Sequence, residues 1–180
     1  MSSIVIKGNT SGQVEIAAPD VAGSTTLTLP TGNGTVITDT APKAGNVLQV
    51  VQGASYSQDS TTGNTFIASN LSASITPSST SSKIIIQVSS VCTNTGNGQG
   101  NYTIYRGATN LSSSAQNTFN QYFNSSGYSF VPITMVYLDS PSTTSSTTYA
   151  VYFKTSSGST TTYFGSSNIE QTITLMEIAG

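Results

Sequence analysis

The sequence predicts an all-β protein, in which a short-stranded N-terminal assembly arm precedes an antiparallel β-sandwich of jelly-roll-like type. Three observations support this. Ser and Thr make up about a third of the chain, whereas charged residues make up 7%. β-Branched and aromatic residues, which suit a pleated sheet, outweigh the strong helix formers. Short apolar segments alternate with turn residues, and no helical period persists for four turns.

Residues 1–45 form the predicted N-terminal arm. Short extended units at 4–6, 13–16, 25–29 and 35–37 are separated by Gly, Asn and Pro. Each unit has only two or three apolar residues, which is too few to close a core. We therefore expect the arm to assemble with copies of itself and to anchor the chain. A β-meander packed on the following domain is the alternative.

Residues 46–180 form the predicted sandwich domain, after a Pro- and Gly-containing linker at 41–46. Polar loops separate its strand candidates at intervals of about ten to fifteen residues, as in a sandwich. The Gly-rich segment 95–100 is predicted to connect two strands, because it lacks the Lys-Ser/Thr ending of a phosphate-binding loop. The strand candidates are 47–51, 65–69, 71–76, 83–91, 101–106, 119–124, 129–139, 148–154, 160–164 and 169–178.

Alternation within strands predicts which surfaces are buried. Tyr149, Val151 and Phe153 occupy one phase of a strand and polar residues the other, which indicates one wet face. Isoleucines at 84–86 are consecutive, and the last strand is apolar in both phases. A second buried face needs either an overlying loop or a subunit contact. We favour a subunit contact, and the candidate trimer interface consists of Ile173, Leu175, Met176 and Ile178.

The residues that most catalytic and metal sites need are missing. The chain has no His, and its seven carboxylates are isolated in sequence with no Asp-x-Asp loop. Cys92 is the single cysteine, so no internal disulfide is available, and we expect it to be a small buried hydrophobe. The sequence predicts no catalytic residues, no metal site, no cofactor and no enzymatic activity.

Charge and hydropathy limit the expected partners. Five Lys and Arg residues are scattered, which offers no basic surface for nucleic acid. No apolar run approaches the ~20 residues of a membrane-spanning helix, and no secretory h-region follows Met1. We therefore expect neither nucleic-acid binding nor membrane insertion.

The tyrosines are the one feature that suggests ligand binding, and eight of the nine are concentrated after residue 100. Aromatic rings in hydroxyl-rich surroundings suit sugar recognition, although the same residues also fill sandwich cores. The tyrosines that flank predicted loops are the candidate ligand contacts: Tyr102, Tyr105, Tyr122 and Tyr128.

Several motifs resemble those of structural proteins of tailed-phage virions, notably marine and cyanobacterial ones. The N-terminal segments are TSGQVEIAAP at 10–19, AGSTTLTLP at 22–30 and GTV at 34–36. Segments at 75–77, 82–86, 104–107, 138–141 and 173–178 are similar to the C-terminal domain of phage fibre-like proteins. The resemblance implies a trimeric jelly-roll head of the type found in complement C1q and tumour necrosis factor.

The resemblance implies a virion protein, assembled in the host cytoplasm, with three possible roles. A homotrimeric tail fibre would bind tail or baseplate proteins and a host-surface glycan or protein. A capsid decoration protein would stabilise the shell against the major capsid protein, which suits a chain with one copy of the N-terminal module. A glycan-cleaving tailspike is disfavoured, because no carboxylate pair is evident.

Overall fold

The structure is a computed structural model that describes residues 3–7, 11–17, 42–112, 118–124, 129–156 and 159–180, where every regular element is a β-strand. The chain divides into two compact units, Met1–Val36 and Ile37–Gly180. In the first, β1 (Ser3–Lys7) pairs antiparallel with β2 (Gln13–Ala17). These strands match the first two predicted extended units. The other two units, 25–29 and 35–37, lie outside the described residues.

The second unit is built from two antiparallel sheets. The six-stranded sheet has the order β3-β13-β6-β12-β4, and β10 pairs with the opposite edge of β6. The five-stranded sheet has the order β5-β11-β7-β8, with β9 also paired to β7. Their strands are β3 (Val47–Ser55), β4 (Asp59–Thr61), β5 (Ile67–Ile75), β6 (Lys83–Asn94), β7 (Gly98–Arg106), β8 (Thr109–Asn110), β9 (Phe119–Phe123), β10 (Val131–Asp139), β11 (Thr147–Thr155), β12 (Thr162–Phe164) and β13 (Gln171–Ile178).

The strand order is that of a jelly roll. β12 and β13 pair with successive stretches of β6, so they act as two parts of one interrupted strand. With β3, β5, β6, β7, β9, β10, β11 and β13 counted as one to eight, the sheets read 1-8-3-6 and 2-7-4-5. This double Greek-key order confirms the predicted all-β, jelly-roll-like sandwich.

The core lies between the two sheets and follows the predicted alternation. Tyr149, Val151 and Phe153 are fully buried, and the Tyr102 ring packs 6.1 Å from that of Phe164. Cys92 is also fully buried, and this burial raises its pKa to about 11. The thiol therefore stays protonated and packs as a small apolar group, as predicted.

Some boundaries differ from the prediction. Segments 65–69 and 71–76 were predicted as two strands, but most of both lies in β5, whose register shifts opposite Ala150 and Tyr152. β4 and β8 have only three and two residues, too few to show a periodic pattern. The Gly-rich segment 95–100 is partly strand, since β7 begins at Gly98. A Cβ on Gly98 would lie 2.5 Å from the Thr160 hydroxyl, so close packing explains this glycine.

The predicted linker at 41–46 is tied to the end of the last strand. The Gly45 amide donates to the Ala179 carbonyl and the Ala179 amide donates to the Asn46 carbonyl, both at 2.8 Å. These two backbone bonds fix the entry of the chain into the sandwich beside its C-terminus.

Candidate functional site

The outer face of the six-stranded sheet carries a continuous line of apolar side chains, here called the apolar row. Strand register places Val50 opposite Met176, Met176 opposite Ile85, and Ile85 opposite Leu138. Val50 and Leu138 are 58% and 55% exposed, while Met176 and Ile85 are half-buried. Neighbouring strands lie about 4.8 Å apart, so the row extends roughly 14 Å across four strands.

The surroundings of the apolar row are apolar or neutral. Val136 is 61% exposed and lies on the same face of β10, two residues before Leu138. Ile178 and Val47 pair with each other beside the row, at the end of the sheet. The next row consists of Gln52, Thr174 and Gln87, whose side chains both donate and accept hydrogen bonds. Lys83 is the single charged residue that β3, β6, β10 and β13 turn outward. Such a face can pack against an identical copy without like-charge repulsion.

The predicted trimer interface is only partly on this surface. Met176 and Ile178 point outward, as the two-faced pattern of the last strand predicted. Ile173 and Leu175 are fully buried between the sheets, so the expectation that they contact another subunit is wrong. Since side chains alternate along a strand, one strand cannot present all four residues to one partner. Val50, Ile85 and Leu138 were missed, although the consecutive isoleucines at 84–86 marked one of them.

The predicted ligand-contact tyrosines have different environments. Tyr102 is fully buried and its hydroxyl donates to the Tyr163 carbonyl, so its predicted exposure is wrong. Tyr105 and Tyr122 lie on the outer face of the five-stranded sheet, where Tyr105 is half-buried and Tyr122 is 59% exposed. Tyr128 lies outside the described residues. Binding by any of them stays a prediction.

One buried ion pair connects the two sheets. Arg106 of β7 donates to both carboxylate oxygens of Asp139 at the end of β10, at 2.9 and 2.8 Å. The Tyr149 hydroxyl donates to Asp139 Oδ2 at 2.7 Å, and burial together with this carboxylate raises the pKa of Tyr149. Arg106 and Tyr149 both donate to Asp139, which is typical of a structural contact rather than a catalytic one.

Glu177 is a second buried carboxylate, at the end of the sandwich where the chain enters. It is fully buried and accepts hydrogen bonds from the Ser78 amide, the Ser82 hydroxyl and the Gln49 side-chain amide at 2.6–2.7 Å. Burial alone would raise its pKa, but these hydrogen bonds outweigh burial and lower it. A groove of about 710 Å³ lies alongside, and its lining mixes serines and Gln49 with apolar residues such as Val47 and Leu48. Because the carboxylate is occupied internally, its role is to hold β13 to β3 and to the β5–β6 connection.

Within the ranges that the structure describes, no group of three or more His, Cys, Asp and Glu side chains could hold a metal ion. No helix in the same ranges is long and apolar enough to cross a membrane.

The strand order and the apolar row define the molecule as a jelly-roll β-sandwich with one unpaired apolar sheet face. No family model matches the chain, and no curated protein matches it. Among solved structures it is similar to the VP2 subviral particle of infectious bursal disease virus, with 14% identity and a TM-score of 0.35. The alignment covers 96% of this chain and 45% of that chain, so this chain spans less than half of that protein.

Proposed function

We propose that this chain is a non-enzymatic, homotrimeric structural component of a bacteriophage virion. It is a tail fibre whose N-terminal residues 1–45 anchor it to tail or baseplate proteins and whose sandwich domain is the head that attaches to the host surface. The observation that carries the assembly is the apolar row, from Val50 through Met176 and Ile85 to Leu138.

The physical reason for assembly is the exposure of this row. Burial of apolar surface stabilises an interface by about 25 cal/mol per Å². Among the described strands β10 pairs only with β6 and so lies at an edge, where its exposed Val136 and Leu138 carry none of the charges that usually protect such edges. A subunit contact over this region would cover both the exposed apolar side chains and the open edge of β10.

The virion assignment is supported by composition and by the motif resemblance. Ser and Thr make up about a third of the chain and charged residues 7%, so it offers many hydroxyl contacts and little like-charge repulsion to neighbouring virion subunits. The segments at 10–19, 22–30 and 173–178 are similar to those of tailed-phage structural proteins. A capsid decoration protein that stabilises the shell is the second candidate, favoured by the single copy of the N-terminal module.

Sedimentation of the purified protein at micromolar concentration tests the assembly. We expect a trimer for the native chain and a folded monomer for Met176→Lys, because a lysine cannot be buried without a partner in a neutral interface. Ser74→Lys, on an exposed position of the other sheet, is the control and stays trimeric. A monomeric native chain, or a trimeric Met176→Lys, contradicts the proposal.

Antibody labelling of phage particles tests the location. Label at the tail supports the fibre, and label over the whole shell replaces it with the decoration protein. Particles without label at either place would contradict a virion role altogether.

A further inference from the structure

The outer face of the five-stranded sheet carries an aromatic cluster formed by Phe66, Tyr105, Tyr152 and Lys154. The Tyr105 and Tyr152 rings stack with centroids 3.9 Å apart at an interplanar angle of 20°. The Phe66 ring lies 6.2 Å from that of Tyr105, and the Lys154 ammonium lies 4.5 Å from the centre of the Phe66 ring. The four side chains form one half-buried surface group on β7, β11 and the segment before β5.

The polar ends of this cluster have no partners within the part of the chain that the structure describes. Neither the Tyr105 nor the Tyr152 hydroxyl has a hydrogen-bond partner there, whereas the buried hydroxyls of Tyr102 and Tyr149 both do. The one ion pair there joins Arg106 to Asp139, so Lys154 has no carboxylate partner. Lys154 is also the single charge that β5, β7, β9 and β11 turn outward.

A line of amide side chains continues from the cluster. Asn101 lies opposite Lys154, and it accepts from the Asn120 side chain at 2.7 Å. Asn120 accepts in turn from the Gln99 side chain at 2.6 Å, and Gln99 lies opposite the exposed Tyr122. Asn101 is buried, so only the more exposed Asn120 and Gln99 amides of this line can contact a ligand, and the hydrogen bonds orient them.

We propose that this face binds an anionic carbohydrate, a sugar chain whose rings carry carboxylates. The C–H groups of a sugar ring pack on aromatic surfaces, the phenol hydroxyls donate to the ligand, and the Lys154 ammonium pairs with its carboxylate. A peptide added as a strand is disfavoured, because β11 is an interior strand whose two edges are already paired. The inference rests on the proposed role of the sandwich as a host-binding head and names its ligand class and its site.

Titration calorimetry of the native trimer with two probes tests the site. The probes are a tetramer of galacturonic acid and the uncharged tetramer of galactose. We expect only the uronate to bind measurably, and we expect binding to weaken as ionic strength rises. Lys154→Met should weaken it by roughly tenfold, as for loss of a charge-assisted contact. Lys83→Met removes a lysine from the other sheet and should leave the affinity unchanged.

Two substitutions at Tyr152 separate the ring from its hydroxyl. Tyr152→Ala should abolish binding, whereas Tyr152→Phe keeps the stacked ring and should weaken binding only a few-fold. Thermal unfolding of each variant shows whether the sandwich is intact, and Tyr152→Phe retains the packing if Tyr152→Ala does not.

The inference is overturned if the native trimer binds neither tetramer, if it binds both equally, or if Lys154→Met and Tyr152→Phe both bind like the native chain. These results are independent of the proposed function. A chain that is trimeric and labelled at the tail but binds no uronate would remove this inference alone. A chain that binds uronate but is absent from the virion would remove the proposed function alone.

Discussion

At the scale of single residues, a charged group buried in the sandwich needs a partner, because burial of an unpaired charge is costly. Asp139 lies in the six-stranded sheet, and its partners Arg106 and Tyr149 lie in the five-stranded sheet. A carboxylate left in a buried position without its cation is strongly destabilising. The ion pair therefore fixes the position of one sheet against the other where β10 ends.

Replacing Arg106 with Met tests this contact. The Asp139 side chain is 9% exposed and that of Arg106 is 30% exposed, so we expect a loss of about 2–3 kcal/mol, less than for a fully buried pair. Urea unfolding at pH 7 measures it. Lys43→Met, which removes an exposed lysine from the segment before β3, serves as the matched control and should change stability by under about 0.5 kcal/mol. Equal stability of the two variants would show that the pair does not link the sheets energetically.

Cys92 should make the free energy of unfolding fall at alkaline pH. Burial raises its pKa from 9.0 to about 11, so the folded state keeps a proton that the unfolded chain releases. The resulting stability is complete below about pH 9 and is lost as pH rises through 11, in total about 2–3 kcal/mol. Burial also raises the pKa of Tyr102 and Tyr149, which adds to the same trend above pH 10.

Unfolding free energies measured at several values between pH 8 and pH 10 check the role of this thiol. Cys92→Val, which keeps most of the volume, should show a flatter decline than the native chain in this window. The same slope in both proteins would mean that Cys92 does not cause the sensitivity.

At the scale of elements, β3 of one sheet passes close over β5 of the other. A Cβ placed on Gly53 would lie 2.2 Å from the Ser72 carbonyl oxygen, which is a backbone atom and cannot rotate away. The glycine is thus required by sterics rather than by a left-handed backbone. It allows β3 to close the sandwich at this edge.

Gly53→Ala should push β3 away from β5 and destabilise the sandwich by about 1–3 kcal/mol, the usual cost of overpacking. Ala54→Ser changes the next residue, which faces outward, and should have little effect. Thermal unfolding compares the two variants. A Gly53→Ala protein as stable as Ala54→Ser would show that β3 shifts without cost.

At the scale of the whole molecule, the two outer sheet faces have different chemistry and therefore suit different tasks. The face with the apolar row turns only one charge outward, that of Lys83, and favours contact with copies of the chain. The face with the aromatic cluster carries unpartnered hydroxyls and one ammonium, which favour a polar ligand. A trimer assembled through the first face would present three copies of the second.

This arrangement predicts avidity. Met176→Lys should bind a galacturonate tetramer as well as the native chain does, because the cluster is intact, but should bind long polygalacturonate about 10²-fold more weakly, because linked sites are lost. Surface plasmon resonance on immobilised polymer measures the second value and calorimetry the first. An equal loss for tetramer and polymer would place part of the ligand site at the subunit interface.

The fold class could be predicted from the sequence, because it depends on the local pattern of apolar and turn residues. The apolar phase of Tyr149, Val151 and Phe153 and the Gly-containing turns were sufficient to place most strands of the sandwich. The sequence also showed that the last strand is apolar on both faces, which is a property of neighbouring residues. Cys92 was correctly expected in the core for the same local reason.

Contacts between residues that are distant in sequence could be read only from the folded chain. The apolar row joins Val50, Ile85, Leu138 and Met176 through pairing between strands distant in sequence, and no local period encodes that register. The contacts of Tyr105 with Tyr152 and Phe66 also depend on strand pairing. Tyr102 was expected to be exposed because it lies near a loop in the sequence, but it is buried. Alternation fixes the two faces of a strand, but only the packing of the sheets determines which face becomes the core.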